Sequence, residues 1–175
     1  MKGLKIITIR AWNMKEANTL SKISEKTGVP FIDNQRILTE AISFGADEEY
    51  FQWMIDDDCR SLLYHLAKMP ASSVSELQSA RRTYFSMVEA IRKLCGEHHK
   101  CIFSDQFAPL ITHEIGPVVR VLTYSPSRKA PGHTAAGKER DSLPPPDMGD
   151  YDIILNMATV NYDKCAQIIH DLAQL

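Results

Sequence analysis

Two thiols and two imidazoles lie within seven residues in the middle of the chain. They belong to Cys95, His98, His99 and Cys101, and zinc accepts both kinds of ligand at short spacing. The spacing does not match a standard zinc knuckle, and Cys101 begins a predicted buried strand. We therefore expect no bound metal and keep these four residues as the metal candidates. The alternative is a histidine that interacts favourably with the C-terminal end of a helix.

A second set of candidate residues follows the first apolar run of the chain. Residues 10–18 read Arg-Ala-Trp-Asn-Met-Lys-Glu-Ala-Asn, and Arg10, Asn13 and Lys15 are the candidates for binding a nucleotide cofactor. A phosphate cradle needs glycines, because successive backbone N–H groups must point at the phosphates without a Cβ in the way. The segment contains none, so we interpret Lys15 as a solvated residue at a helix start, with a phosphate-binding lysine as the alternative.

Three consecutive aspartates, residues 56–58, have side chains that can take part in metal binding or acid–base chemistry. On a helix, three successive side chains point in different directions and do not converge on one ligand. A solvated acidic turn is the simpler interpretation.

Length and charge favour one domain and exclude two classes of partner. The 175 residues are 44% hydrophobic and 24% charged, which is ordinary for a single α/β domain. The net charge is −2 and both signs are mixed, so we expect neither nucleic acid nor a membrane as partner.

The N-terminal apolar run is too short for a signal peptide, and the four cysteines form no disulfide scaffold. We expect a cytoplasmic protein with reduced thiols.

Apolar periodicity predicts strands and helices in alternation. The predicted strands cover residues 4–9, 29–33, 101–103, 118–124 and 151–156. The predicted helices cover residues 18–27, 34–68 with a break near Gly45 and a new start at Glu48, 74–95 closed by Gly96, 107–114 and 161–175. This order predicts a three-layer α/β/α fold, with an open parallel sheet of about five strands and helices on both faces. Ligands of such sheets bind at the carboxyl ends of the strands.

Several of these segments resemble the cytidylate-kinase-like family of P-loop nucleoside monophosphate kinases. The first strand, the Gly-Val-Pro-Phe-Ile-Asp of residues 28–33 and the closing Tyr-Asp-Ile-Ile-Leu-Asn of residues 151–156 are similar to it in order and spacing. The resemblance covers most of the chain and implies one P-loop kinase-like domain over residues 1–175. For an active member it implies ATP with Mg²⁺, a pyrimidine monophosphate acceptor and a closing lid.

The chain departs from the family in three places. The phosphate loop has no glycine, as described above. The turn after the third strand reads Ser-Asp-Gln-Phe, so Asp105 carries a charge opposite to that of the family's acceptor-binding arginine. The lid is replaced by a proline-rich loop over residues 125–150, whose basic residues include Arg128, Lys138 and Arg140.

Asp33 matches the family at the end of the second strand. The resemblance implies that it helps to organise the acceptor side of the site. An aspartate directly before a helix is equally well explained as its N-cap, and the sequence leaves both roles open.

Two functions follow from these observations. The first is a cytidylate-kinase-like protein with a degenerate nucleotide site, that is, a pseudokinase. It would work as a non-catalytic binding or regulatory module for a nucleotide or a protein. The sequence leaves open whether it forms a homodimer. The second is an active nucleoside monophosphate kinase with an atypical phosphate loop, using ATP and Mg²⁺ and the catalytic candidates Lys15, Asp33, Arg128, Lys138 and Arg140. We favour the first, because the lost N–H cradle and the reversed charge both remove transition-state stabilisation.

Overall fold

The apolar runs of the sequence form the strands of a central sheet, and the amphipathic segments form the helices that cover it. The computed structural model describes residues 5–12, 15–69, 73–125 and 147–174. The strands in these ranges are β1 (Lys5–Trp12), β2 (Phe31–Ile32), β3 (Lys100–Ser104), β4 (Val119–Tyr124) and β5 (Ile153–Asn156). The helices are α1 (Glu16–Thr27), α2 (Asn34–Ser43), α3 (Glu48–Asp56), α4 (Leu62–Lys68), α5 (Val74–Glu97), α6 (Ala108–Glu114) and α7 (Tyr162–Gln174).

The sheet of the described chain has five strands, all parallel, in the order β2-β3-β1-β4-β5. Strand β1 lies at the centre and pairs with β3 on one side and β4 on the other. Both faces of β1 are covered, which explains why its first residues read as a continuous apolar run rather than an alternating one. The predicted α/β fold with an open parallel sheet is confirmed.

Helices cover both faces of the sheet and give three layers. On one face, α1 and α7 pack against Ile7 and Ile9 of β1. On the other face, α2 to α6 pack against a cluster that contains Ile6 and Phe103. Alternate residues of β1 thus enter opposite layers, as the pleat of a strand requires.

The helix ends follow local sequence signals in most places. Helix α1 ends at Gly28, which adopts the left-handed conformation with φ of 69°, a conformation that favours glycine. Asp47 caps α3, and Ser73 with Glu76 forms a capping box at the start of α5. Gly96, by contrast, does not end α5, which continues to Glu97.

The predicted loop at 125–150 lies largely outside the described residues. Within it, the structure describes residue 125 and residues 147–150, where Met148–Asp150 forms one 3₁₀ turn. Across the described ranges, no helix combines the length and the apolar character needed to cross a bilayer.

Candidate functional site

A cleft opens where two neighbouring strands send the chain to opposite faces of the sheet. After β1 the chain enters α1 on one face, and after β3 it enters α6 on the other. Such a switch point is where open α/β sheets bind ligands. The cleft, on the α6 side, has a volume of about 550 Å³. It is lined by Arg10, Asp58, Arg60, Ser61, Asp105, Pro109, His113, Arg120, Asp147, Asp150 and Tyr151.

A buried carboxylate lies at the floor of the cleft. Asp105 follows β3 directly and is 1% exposed. Its Oδ1 accepts hydrogen bonds from Thr8 Oγ1 at 2.9 Å and from Arg120 Nε at 3.1 Å. Its Oδ2 accepts from Arg120 Nη2 at 2.8 Å and from the Tyr151 hydroxyl at 3.0 Å. Arg10 Nε lies a further 3.9 Å from Oδ2, so two guanidinium groups balance this one charge.

The electrostatics at the floor of the cleft keep the Arg120 guanidinium and the Tyr151 hydroxyl protonated. The hydrogen bond to Asp105 raises the pKa of Arg120, so its guanidinium stays charged. Burial, and then the nearby Asp105 charge, raise the pKa of Tyr151, which keeps its hydroxyl as a donor. The Arg120 guanidinium also lies over the Tyr151 ring, 4.9 Å from its centroid.

The lining of the cleft also includes Asp58, which belongs to a strained turn. Asp58 and Cys59 follow α3 with φ of 57° and 41°, a region that residues other than glycine rarely adopt and that costs about 1–3 kcal/mol each. Asp58 Oδ1 accepts a hydrogen bond from Arg10 Nη2 at 2.8 Å. The interpretation of the three aspartates as a solvated turn is therefore incomplete, because Asp58 faces the cleft.

The rim carries charges of both signs. Among the described residues, three arginines and four aspartates line the cleft, a formal charge of 3 − 4 = −1 with His113 counted as neutral. The floor arginines, Arg10 and Arg120, both face Asp105. The described part of the lining therefore does not present the excess of positive charge that a phosphate site presents.

Of the segment that the resemblance aligns with a phosphate loop, residues 10–12 belong to β1 and Lys15 lies at the start of α1. Strand β1 runs three residues beyond Ile9, and Trp12 still pairs with Tyr124 of β4. Helix α1 begins at Glu16, so only residues 13–15 connect the two elements. Lys15 occupies the exposed N-cap position of α1 and does not line the cleft.

Asp33 has the capping role that the sequence left open. Its Oδ1 accepts a hydrogen bond from the backbone N–H of Arg36 at 2.8 Å, which fixes the first turn of α2. Its side chain is exposed and does not line the cleft.

The four metal candidates lie near one another without forming a ligand set. Cys95 and Cys101 are buried, whereas His99 is exposed. The Cys101 thiol contacts the backbone oxygen of His98 at 3.6 Å, and a hydrogen bond with Cys95 raises the pKa of Cys101. Zinc requires the thiolate, which this hydrogen bond and burial disfavour at Cys101. No three or more His, Cys, Asp or Glu side chains of the described ranges are arranged to hold a metal ion.

The remaining predicted site residues, Asn13, Arg128, Lys138 and Arg140, lie outside the described residues. They stay as predictions.

The sequence did not indicate that Asp58, Arg120 and Tyr151 lie together in one cleft. Arg120 gave the clearest signal, because a charged residue inside an apolar strand needs a buried partner of opposite charge. Asp58 gave none, since its partner Arg10 is 48 residues away.

Comparison with known protein families finds no matching family model, and searches of curated proteins and of solved structures also find no match.

Proposed function

We propose that the chain is a non-catalytic binding or regulatory module, a cytidylate-kinase-like protein whose nucleotide site is degenerate. The observation that carries this proposal is the connection between β1 and α1. The Walker A motif spans roughly eight residues with two glycines, whereas three residues, numbers 13–15, join Trp12 to Glu16 here. A connection of this length is too short for a Walker A cradle of N–H groups, which supports the proposal.

The acceptor side supports the same proposal. A kinase must present cations to the acceptor phosphate and to the group in transfer. In this cleft Arg120 and Arg10 face Asp105, and Arg10 also pairs with Asp58. An incoming phosphate would compete with these carboxylates for the same guanidinium groups.

Binding without catalysis remains compatible with the size of the cleft. Its volume of about 550 Å³ falls within the roughly 300–1,000 Å³ of small-molecule sites. Its lining of arginine, aspartate and histidine suits a small polar ligand or the polar side chains of a protein partner. All four cysteines are buried and unbridged, in keeping with our proposal of a cytoplasmic location.

The proposal is tested by calorimetric titration with ATP–Mg²⁺, CTP and CMP beside a coupled kinase assay. We compare the wild type with Lys15→Ala and with Lys164→Ala. The second variant is a control that removes the same charge from an exposed position of α7. We expect no turnover, and no difference in nucleotide binding between the two variants.

One result would contradict the proposal directly. Turnover with micromolar nucleotide binding that is lost in Lys15→Ala and kept in Lys164→Ala would make the protein an active kinase. If no nucleotide binds, the cleft ligand is another polar molecule or a protein, and the module remains non-catalytic.

A further inference from the structure

We propose that Asp105 is an internal anion that occupies an oxyanion-binding site in the cleft and thereby excludes phosphate from the wild-type protein. This inference rests on the proposed function only in that both concern the same cleft. It assigns a binding role to Thr8, Arg120 and Tyr151, to which the resemblance gives none.

The first argument is the arrangement of donors around one carboxylate. Each oxygen of Asp105 accepts two hydrogen bonds, all between 2.8 and 3.1 Å. Arg120 donates through Nε and Nη2, the fork that arginine presents to carboxylates and phosphates alike. The hydroxyls of Thr8 and Tyr151 complete the set, and Arg10 adds a second positive charge at 3.9 Å.

The second argument is that these donors are held in place by elements other than the one that carries Asp105. Thr8 lies in β1 and Arg120 in β4, where the two residues are register partners in the sheet. Tyr151 lies two residues before β5. Asp105 itself follows β3. Removing its carboxylate therefore leaves the backbones of Thr8 and Arg120 positioned by sheet pairing, and a preorganised donor set binds an anion without a large ordering cost.

The third argument is access. Asp105 is 1% exposed, yet it lines the cleft of about 550 Å³. The space vacated by its side chain is therefore continuous with the cleft. Phosphate can reach the donors from that side and supply the negative charge and acceptor oxygens that Asp105 supplies now.

The test is binding of inorganic phosphate to Asp105→Ala, measured by titration calorimetry and by thermal unfolding at rising phosphate concentration. We expect Asp105→Ala to bind phosphate at least about tenfold more tightly than the wild type, a difference of about 1.4 kcal/mol. Its midpoint of thermal unfolding should rise with phosphate and keep rising with the logarithm of the phosphate concentration above the Kd, as binding to the native state requires.

Two variants separate this site from a general effect of charge. Asp163→Ala removes an exposed carboxylate of α7 that pairs with Lys26, and it should bind phosphate as poorly as the wild type. The double variant Asp105→Ala/Arg120→Ala lacks the fork and should lose the gained affinity.

Three results would overturn the inference. The first is phosphate binding by the wild type that equals that of Asp105→Ala. The second is a gain that Asp163→Ala shares or that survives removal of Arg120. The third is an Asp105→Ala protein that stays unfolded in phosphate while Asp105→Asn folds and does not respond to phosphate. No nucleotide is present in this assay, so the inference and the proposed function can fail separately.

Discussion

Replacing Arg120 with alanine tests whether the network around Asp105 holds the fold together. The change removes the two hydrogen bonds of the fork and the contact over the Tyr151 ring. It leaves a carboxylate that is 1% exposed with two hydroxyl donors and with Arg10 at 3.9 Å.

The expected loss follows from the burial of the surviving charge. Breaking a buried ion pair by removing one partner costs roughly 3–5 kcal/mol, because the other charge is left uncompensated. Asp105 keeps Thr8, Tyr151 and the more distant Arg10, so we expect the lower end, about 3 kcal/mol. For a chain of this length that corresponds to a fall of about 6–12 °C in the midpoint of thermal unfolding.

The assay is urea unfolding at neutral pH, followed by tryptophan fluorescence, with Arg36→Ala as the matched control. Arg36 pairs with Glu97 on the surface, where the two side chains are 47% and 40% exposed, and such pairs contribute about 0–1 kcal/mol. A loss in Arg120→Ala no larger than that in Arg36→Ala would refute the reasoning. So would full additivity with Asp105→Asn, because neutralising Asp105 should reduce the cost of losing Arg120.

Two further predictions concern the backbone and the pH dependence of stability. Gly28→Ala should destabilise the protein by about 1 kcal/mol because φ is 69° there. Gly96→Ala, inside α5 with open space for a Cβ, should instead stabilise it by about 0.4–1 kcal/mol. Urea unfolding of both variants checks that the two effects have opposite signs. His65 is 0% exposed, and burial lowers its pKa below the usual value. The unfolded chain therefore takes up a proton before the folded protein does as the pH falls below about 6.5. The free energy of unfolding should decrease there in the wild type and decrease less in His65→Phe. An equal dependence of that free energy on pH in the two proteins, from pH 7 to pH 5, would contradict the role given to His65.

Local signals in the sequence were sufficient for the layers and most element ends. Gly28 and Asp47 act through contacts within a few residues, so their roles can be predicted without knowing the fold. Gly96 was misassigned because a glycine after an apolar stripe signals a helix end only when the chain turns there, and α5 continues into Glu97.

The end of β1 depended on a partner that the local sequence does not contain. Arg10 interrupts the apolar run ahead of Trp12, which favours a loop by local criteria. Pairing with Leu122 and Tyr124 of β4 keeps both residues in the strand. The polar contacts of the cleft are equally non-local, since Thr8 and Asp105 are 97 residues apart in sequence.

The extended β1 also limits how a phosphate-binding loop could be introduced here by design. Changing residues 13–15 to glycine would add conformational freedom but no length. A working loop would need several inserted residues, or it would need β1 to give up its last pairs with β4. Single substitutions therefore cannot introduce a triphosphate-binding loop after β1, whereas the cleft beside Asp105 can be altered one side chain at a time. The two regions are thus open to change by different kinds of mutation, insertion for one and substitution for the other.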